Sequence, residues 1–252
     1  MADDLLIAIP VFNEERYLDG VLVEVGRYGH DVLVIDDGST DQTPRLLRSR
    51  RDVRVITHPE NRGYGKTLAD AFDYALRRGY EWLITMDCDE QHEPAWIPRF
   101  AQAARSNGAD IISGTRYPRG HVSDASVPRD RREINRELTA LINRRLGLGI
   151  TDAFCGFKAY RVDPLRRLRI TVPGYAMPMQ FWVQVARAGL RVRELTVRLI
   201  YHDPTRHFGG LLDNPDARRQ HYVAVFEYEL AAPSIPPPCC TPIPRCAAPS
   251  TR

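Results

Sequence analysis

The sequence has 252 residues, 43% apolar and 27% charged, enough for one substantial domain or two small ones. A net charge of +3 does not suit a strongly basic nucleic-acid binder, and no apolar run approaches the roughly 18 residues that span a bilayer. Of five cysteines, Cys239, Cys240 and Cys246 fall in a proline-rich tail while Cys88 and Cys155 stand alone, which is neither a disulfide framework nor a zinc spacing.

The opening MADDLLIAIPVF carries two acids where a secretory signal has positive charge, so the expected location is the cytoplasm, with Leu5 to Phe12 as a first strand. Strand candidates at Leu5–Val11, Val32–Ile35, Val53–Thr57, Trp82–Met86 and Asp110–Ser113 alternate with helix-like segments near Glu14–Arg27, Thr43–Arg50, Gly65–Arg78 and Ala95–Asn107. That alternation predicts an α/β fold, a mostly parallel central sheet flanked by helices, with ligands beyond the carboxyl ends of the strands. Those ends carry PVFNEE, DDGSTD, HPENRGYG and DCDEQHEP.

A polar stretch from Tyr117 to Asp130, with Pro118, Gly120 and Pro128, predicts a functional loop. DRREINRELTALINRRLGLGI then predicts a helix with Ile134, Leu138, Leu141 and Ile142 on one stripe and Arg131, Arg132, Arg136, Arg144 and Arg145 at other positions. It is either an ordinary surface helix or one that meets a membrane surface or an anionic acceptor. Gly174–Ala188 predicts a helix, Arg191–Tyr201 a strand, HDPTRHFGG a loop and Asp216–Ala231 a closing helix. The domain is expected over 1–231, with 232–252 a disordered, proline-rich tail.

In EWLITMDCDEQHEP, an extended backbone points Asp87 and Asp89 to one side and Cys88 to the other. Two carboxylates in one small volume raise each other's pKa unless a cation lies between them. Mg²⁺ suits the pair, since it takes one or two carboxylates and completes its shell with water and phosphate oxygens; the alternative is a merely polar strand end. In IDDGSTD, Asp36 and Asp37 are placed to accept hydrogen bonds from a ribose or a base, or to build a turn and a helix cap with Ser39 or Asp41. GYGKT has the context of a phosphate-binding P-loop, but Glu60 occupies the position where that pattern needs a glycine. Gly63 and Gly65 are therefore expected to form a tight turn opening a helix, with Lys66 solvated or near a nucleotide.

Together, IPVFNEE, VIDDGSTDQT, NRGYGKTLADAF, MDCDEQHEP, IISGTRY and DAFCGFKAYR resemble the inverting family 2 glycosyltransferases of GT-A (Rossmann-like) fold. Within these the sequence is most similar to polyprenyl (dolichyl) phosphate mannose or glucose synthases, from Leu5 to about Tyr201. The resemblance implies that Pro10, Phe12 (usually Tyr in the family), Glu14, Ile35 and Asp37 line the nucleotide pocket. Asp87, Cys88, Asp89 and Gln91 take the place of Asp-Ala-Asp-x-Gln, with Asp87, Asp89 and Gln91 gathering Mg²⁺ or Mn²⁺ and the diphosphate. Arg116 is expected to touch the donor phosphates or the acceptor, and Arg131 to approach the lipid phosphate, with Asn135 replacing a serine. Asp152, Gly156, Phe157 and Lys158 fit Asp-x-x-x-Gly-Phe-Arg, with Lys for Arg, and Arg206 is expected to clamp the diphosphate in a segment lacking the family's Ser-Lys.

The implied reaction moves a hexose from GDP-mannose or UDP-glucose to polyprenyl phosphate at the cytoplasmic membrane face, with Asp89, Arg116 and Arg131 carrying it. The protein would be a peripheral membrane visitor held by the Arg131 to Arg145 helix or a partner subunit. The metal and arginines neutralise the leaving diphosphate. A phosphate acceptor is already ionised, whereas a hydroxyl acceptor needs a general base. Gln180, where the family often has an acid, either packs at a helix face or faces the site, where its neutrality favours a phosphate acceptor; Glu90 and Glu93 are the other candidate bases. His202 or His207 is a candidate metal ligand. The alternatives are a soluble family 2 enzyme acting on a sugar or small-molecule hydroxyl, and a non-catalytic nucleotide-sugar-binding protein.

Overall fold

A computed structural model describes residues 4–88, 94–106, 108–118, 129–198 and 210–233. β1 (Leu5–Val11), β2 (Asp31–Asp36), β3 (Arg54–Thr57) and β4 (Trp82–Thr85) alternate with α1 (Leu18–Gly26), α2 (Thr43–Ser49) and α3 (Tyr64–Arg78). Then come α4 (Ile97–Arg105), β5 (Ile111–Thr115), α5 (Arg129–Leu146), β6 (Lys158–Arg161), α6 (Met177–Arg187), β7 (Val192–Thr196) and α7 (Pro215–Ala231). The strands form one sheet in the order β3-β2-β1-β4-β6-β5-β7, parallel except for β6, which runs antiparallel to both β4 and β5.

Both faces of the sheet are covered, which is why its central strands are apolar at consecutive positions rather than alternate ones. Leu6, Ala8, Leu33, Ile35 and Leu83 face one way, against Leu68, Ala71, Phe72 and Ala75 of α3, the Ile134–Leu138–Ile142 stripe of α5, Trp182 of α6 and Phe226 of α7. Ile7, Ile9, Val11, Val34 and Ile84 face the other, against Leu18, Val21, Leu22 and Val25 of α1, Leu47 of α2 and Phe100 of α4. The helical i, i+3, i+4 spacing of each set explains how one stripe per helix closes one layer.

The main departures from expectation are β6, the start of α1, and β7, which spans Val192–Thr196 where a strand over Arg191–Tyr201 was expected. β6 has no counterpart among the sequence-derived strands, because four residues, KAYR, flanked by a Gly-Phe turn give too short an alternation to register. Glu14 to Tyr17 make a turn, with the amides of Tyr17 and Leu18 both donating to the Glu14 carbonyl, and α1 proper starts at Leu18. The tail from residue 234 onward, like the segment 199–209, lies outside the described residues. No described helix is long and apolar enough to cross a membrane.

Candidate active site

A cleft of about 740 Å³ opens beyond the carboxyl ends of β1, β2 and β4. Its first wall is made by Pro10, Phe12, Asn13, Glu14 and Asp37, with Asp87 and Cys88 adjoining. Its second comes from later in the chain: Arg131 at the start of α5, Phe154, Gly174, Tyr175, Pro178, Leu212 and Tyr222.

The first wall is laced from the sequence motifs themselves. Asn13 sits at φ 57°, a left-handed conformation that asparagine tolerates better than most residues. Its side-chain oxygen accepts from the Thr40 amide at 2.8 Å, while its own amide donates to Ser39 Oγ at 2.9 Å. The Glu14 amide donates to Thr43 Oγ1 at 2.9 Å and the Glu15 amide to Asp41 Oδ2 at 3.0 Å. Much of DDGSTDQT thus fixes the loop after β1, and Asp41 Oδ1 also accepts from the Thr43 amide at 2.9 Å where α2 begins.

Asp37 reaches the cleft and fastens the next loop as well. It accepts from the amides of Arg62 at 2.9 Å and Gly63 at 2.8 Å, and its Oδ1 lies 2.6 Å from His58 Nδ1. His58 Nε2 lies 2.8 Å from Asp70 Oδ2, and Asp70 pairs with Lys66. Lys66, expected to be solvated or near a nucleotide, is therefore held by Asp70. His58 and Asp70 escaped the sequence reading; the lone signal was a histidine at the end of the third strand, the position where ligands gather. Gly63, at φ 95°, is the N-terminal cap of α3 as the tight-turn reading requires, and a Cβ on it would collide with the Pro173 carbonyl oxygen at 2.5 Å.

Asp87 is confined at the cleft wall. Burial, reinforced by the nearby Asp87 charge, pushes the Tyr64 phenol well above its usual pKa. The carboxylate also lies flat on Gly156: a Cβ there would stand 2.7 Å from Asp87 Cγ and 2.8 Å from Oδ1. A carboxylate cradled in this way at a cleft wall suits a hard divalent ion, which favours oxygen donors. The other expected ligands, Asp89 and Gln91, lie outside the described residues, as do Glu90, Glu93, His202, Arg206 and His207. Among the described residues no three His, Cys, Asp or Glu side chains form a metal-binding group.

Three expected site residues are engaged elsewhere in the structure. Ile35 does not line the cleft with its side chain; it is fully buried in the core beneath α3. Arg116 is placed outside the cleft wall, where its Nε and Nη2 grip Asp152 at 2.6 and 2.9 Å. Asn135, expected near an acceptor, is buried and donates to the same Asp152 at 2.8 Å. Burial alone would raise the Asp152 pKa, but the Arg116 guanidinium and these hydrogen bonds hold it far below the carboxylate range. Lys158, at the family's arginine position, is buried with its ammonium on the Cys155 carbonyl and 5.7 Å from the Trp182 ring centroid. Burial lowers its pKa and pushes the Cys155 thiol up to about 12.

Gln180 does not face the site. Its amide oxygen accepts from the Thr171 and Val172 amides at 2.8 and 3.0 Å, and its nitrogen donates to buried Glu229 at 2.8 Å. Gln184 donates to the other Glu229 oxygen at 2.8 Å. Gln180→Glu would set two carboxylates together out of water, so we expect a loss of at least about 2 kcal/mol, seen as a lower thermal midpoint, and no gain in rate. An unchanged midpoint would contradict this packing role.

The profile of glycosyl transferase family 2 matches residues 6–169. The chain is 31% identical over 223 residues to an undecaprenyl-phosphate mannosyltransferase of Micrococcus luteus, covering 82% of this chain and 89% of that protein. It is 32% identical over 206 residues to a polyprenol monophosphomannose synthase of Mycolicibacterium smegmatis, covering 76% of each. In fold it is similar to the crystal structure of glucosyl-3-phosphoglycerate synthase from Mycobacterium tuberculosis in complex with Mn²⁺, UDP and glucosyl-3-phosphoglycerate. There the TM-score is 0.69 at 20% identity, covering 91% of this chain and 80% of that one. With an α/β sheet of this topology, a cleft at its strand ends and matches of this extent, the chain belongs to glycosyl transferase family 2 and is a glycosyltransferase.

Proposed function

We propose that the protein transfers a hexose, mannose or glucose, from a nucleotide diphosphate sugar to a polyprenyl phosphate, with inversion at the sugar carbon. The observation that carries this reading is the division of the cleft. Its carboxylates, Glu14, Asp37 and Asp87, come from the ends of β1, β2 and β4. Among the described residues, those contributed from α5 onward are one arginine, Arg131, and the apolar or aromatic Phe154, Tyr175, Pro178, Leu212 and Tyr222, with Gly174 and no carboxylate.

On the acidic wall, Asp37 and Glu14 are suited to the hydroxyls and base of a nucleoside, and exposed Phe12 offers a face for stacking. Asp87, with Asp89 and Gln91, would hold Mg²⁺ or Mn²⁺. That ion would supply positive charge to the departing diphosphate. On the other wall, Arg131 offers a guanidinium to an anionic headgroup and the aromatic side chains offer a surface to the first apolar units behind it. An ionised phosphate oxygen needs no base to attack C1, which agrees with a second wall free of carboxylates among the described residues. The names of the relatives support the same acceptor class. The catalytic domain would span 1–231 and visit the membrane peripherally through the basic side chains of α5.

The test is radiolabel transfer from GDP-mannose and UDP-glucose, each with Mg²⁺ or Mn²⁺, with and without a short polyprenyl phosphate. Label entering the organic phase only when the lipid is present is the expected result, and the productive donor names the sugar. Donor hydrolysis with no lipid product under any pairing would overturn the acceptor assignment.

A further inference from the structure

The cleft is completed by residues beyond the family profile. Residues 6–169 are matched, yet Tyr222 of α7 and Leu212 of the turn before it stand on the second wall. Tyr222 stacks on Phe154 with centroids 5.4 Å apart. One turn earlier on α7 lies Arg218, only 3% exposed. A guanidinium removed from water is costly unless its donors are met. Arg218 meets Asp130 Oδ2 at 2.7 Å and the Leu212 carbonyl at 2.9 Å. Asp130 directly precedes Arg131, and Leu212 is itself a wall residue.

The first turn of α5 makes the pairing informative. A helix N-terminus favours an acid and opposes a cation, so Asp130 suits that turn and Arg131 does not. A cationic side chain aimed into a cleft from this position needs the start of the helix fixed by something else. Arg218 supplies that fixture, with one fork joining the Arg131 end of α5 to the turn that carries Leu212.

We infer that Arg218 is a positioning residue for the acceptor: through Asp130 and the Leu212 carbonyl it sets Arg131 and the apolar wall at the spacing that an anionic headgroup on an apolar chain requires. This rests on the acceptor reading above. The closing helix, which lies beyond the residues the family profile matches, then acts on acceptor affinity through Arg131.

Steady-state kinetics with polyprenyl phosphate varied at saturating donor, and with donor varied at saturating lipid, test it in Arg218→Lys, Arg218→Met, Asp130→Asn and Arg131→Ala. Arg218→Met and Asp130→Asn are each expected to raise the acceptor KM by roughly ten- to a hundredfold, as misplaced binding groups do, with the donor KM unchanged. The double variant should be no worse than either single one, because both break the same link. Arg218→Lys, which keeps the charge and is the variant expected to fold in any case, should recover part of the acceptor affinity. A purely structural role would lower the thermal midpoint and move both KM values together, and that pattern overturns the inference. If Arg131→Ala raises the acceptor KM while the Arg218 and Asp130 variants do not, the coupling fails and the acceptor reading stands. If Arg131→Ala leaves the acceptor KM unchanged, the acceptor reading fails and the inference with it.

Discussion

Asp152→Asn is expected to lower stability by about 3 to 5 kcal/mol, the usual cost of stranding a buried charge. In a chain of this size that is roughly a 10 °C fall in thermal midpoint, measured by circular dichroism. Asp152 is fully buried and accepts from Arg116 Nε, Nη2 and backbone amide at 2.6, 2.9 and 3.1 Å, and from the Asn135 side chain at 2.8 Å. Asn135 cannot turn to compensate. The Ala153 amide donates to Thr139 Oγ1 at 3.1 Å, whose hydroxyl donates to Asn135 Oδ1 at 2.9 Å, which leaves only the Asn135 nitrogen for Asp152. The substitution would therefore set an amide against a largely buried guanidinium that has lost its counter-charge. Stability should also depend on pH with a definite sign. The folded pKa of Asp152 is depressed, so its contribution is complete above the unfolded value of about 3.9 and is lost progressively as pH falls below it. Asp152→Asn should lose that acid-limb dependence. A midpoint within a degree or two of the parent would overturn this account of the Arg116 cluster.

That cluster also shows where the sequence was legible and where it was not. The strand-helix alternation from Leu5 to Ser113 could be read because each strand is buried on both faces and each helix on one stripe, so the apolar pattern is strong and local. The positions of Asp37 and Asp87 followed from the same logic, since both end strands of a parallel sheet. The Asp152 pairing of Arg116 and Asn135 was not legible for a different reason. Residue type announces that an arginine will meet an anion, but whether that anion is a ligand or Asp152, 36 residues later, is decided by tertiary contact. For Gln180 the sequence left packing and a place at the site both open, and its partner Glu229, 49 residues away on α7, decides for packing. Ile35 was assigned by the resemblance alone; it lies within β2 with its side chain fully buried beneath α3, whereas Asp37 follows the strand's last residue. His58 escaped because its two carboxylate partners come from β2's end and from α3, which no local pattern joins.

Gly156→Ala should cost at least about a hundredfold in transfer rate while leaving the fold almost untouched, since a shift near 1 Å in a reacting group is enough for such a loss. The added methyl would stand 2.7 Å from Asp87 Cγ and 2.8 Å from Oδ1, closer than real Cβ atoms come to any neighbour. Something must move, and the short Asp87 side chain is the softer partner. The Gly156 backbone is tied by its carbonyl to Thr85 Oγ1 at 2.9 Å, in the strand that leads to Asp87. Displacing the carboxylate carries it away from the Tyr64 hydroxyl and from the place where a divalent ion would meet a diphosphate. The rate should then recover in part at raised Mn²⁺, because the defect lies in how tightly the ion is held rather than in the donor's nucleoside contacts. Gly26→Ala is the matched control: its Cβ meets nothing within 4 Å, so rate and metal dependence should stay at parent values. Should Gly156→Ala turn over normally with an unchanged Mn²⁺ requirement, Asp87 would not be the residue on which the leaving diphosphate depends. The glycine in DAFCGF would then be explained by packing alone.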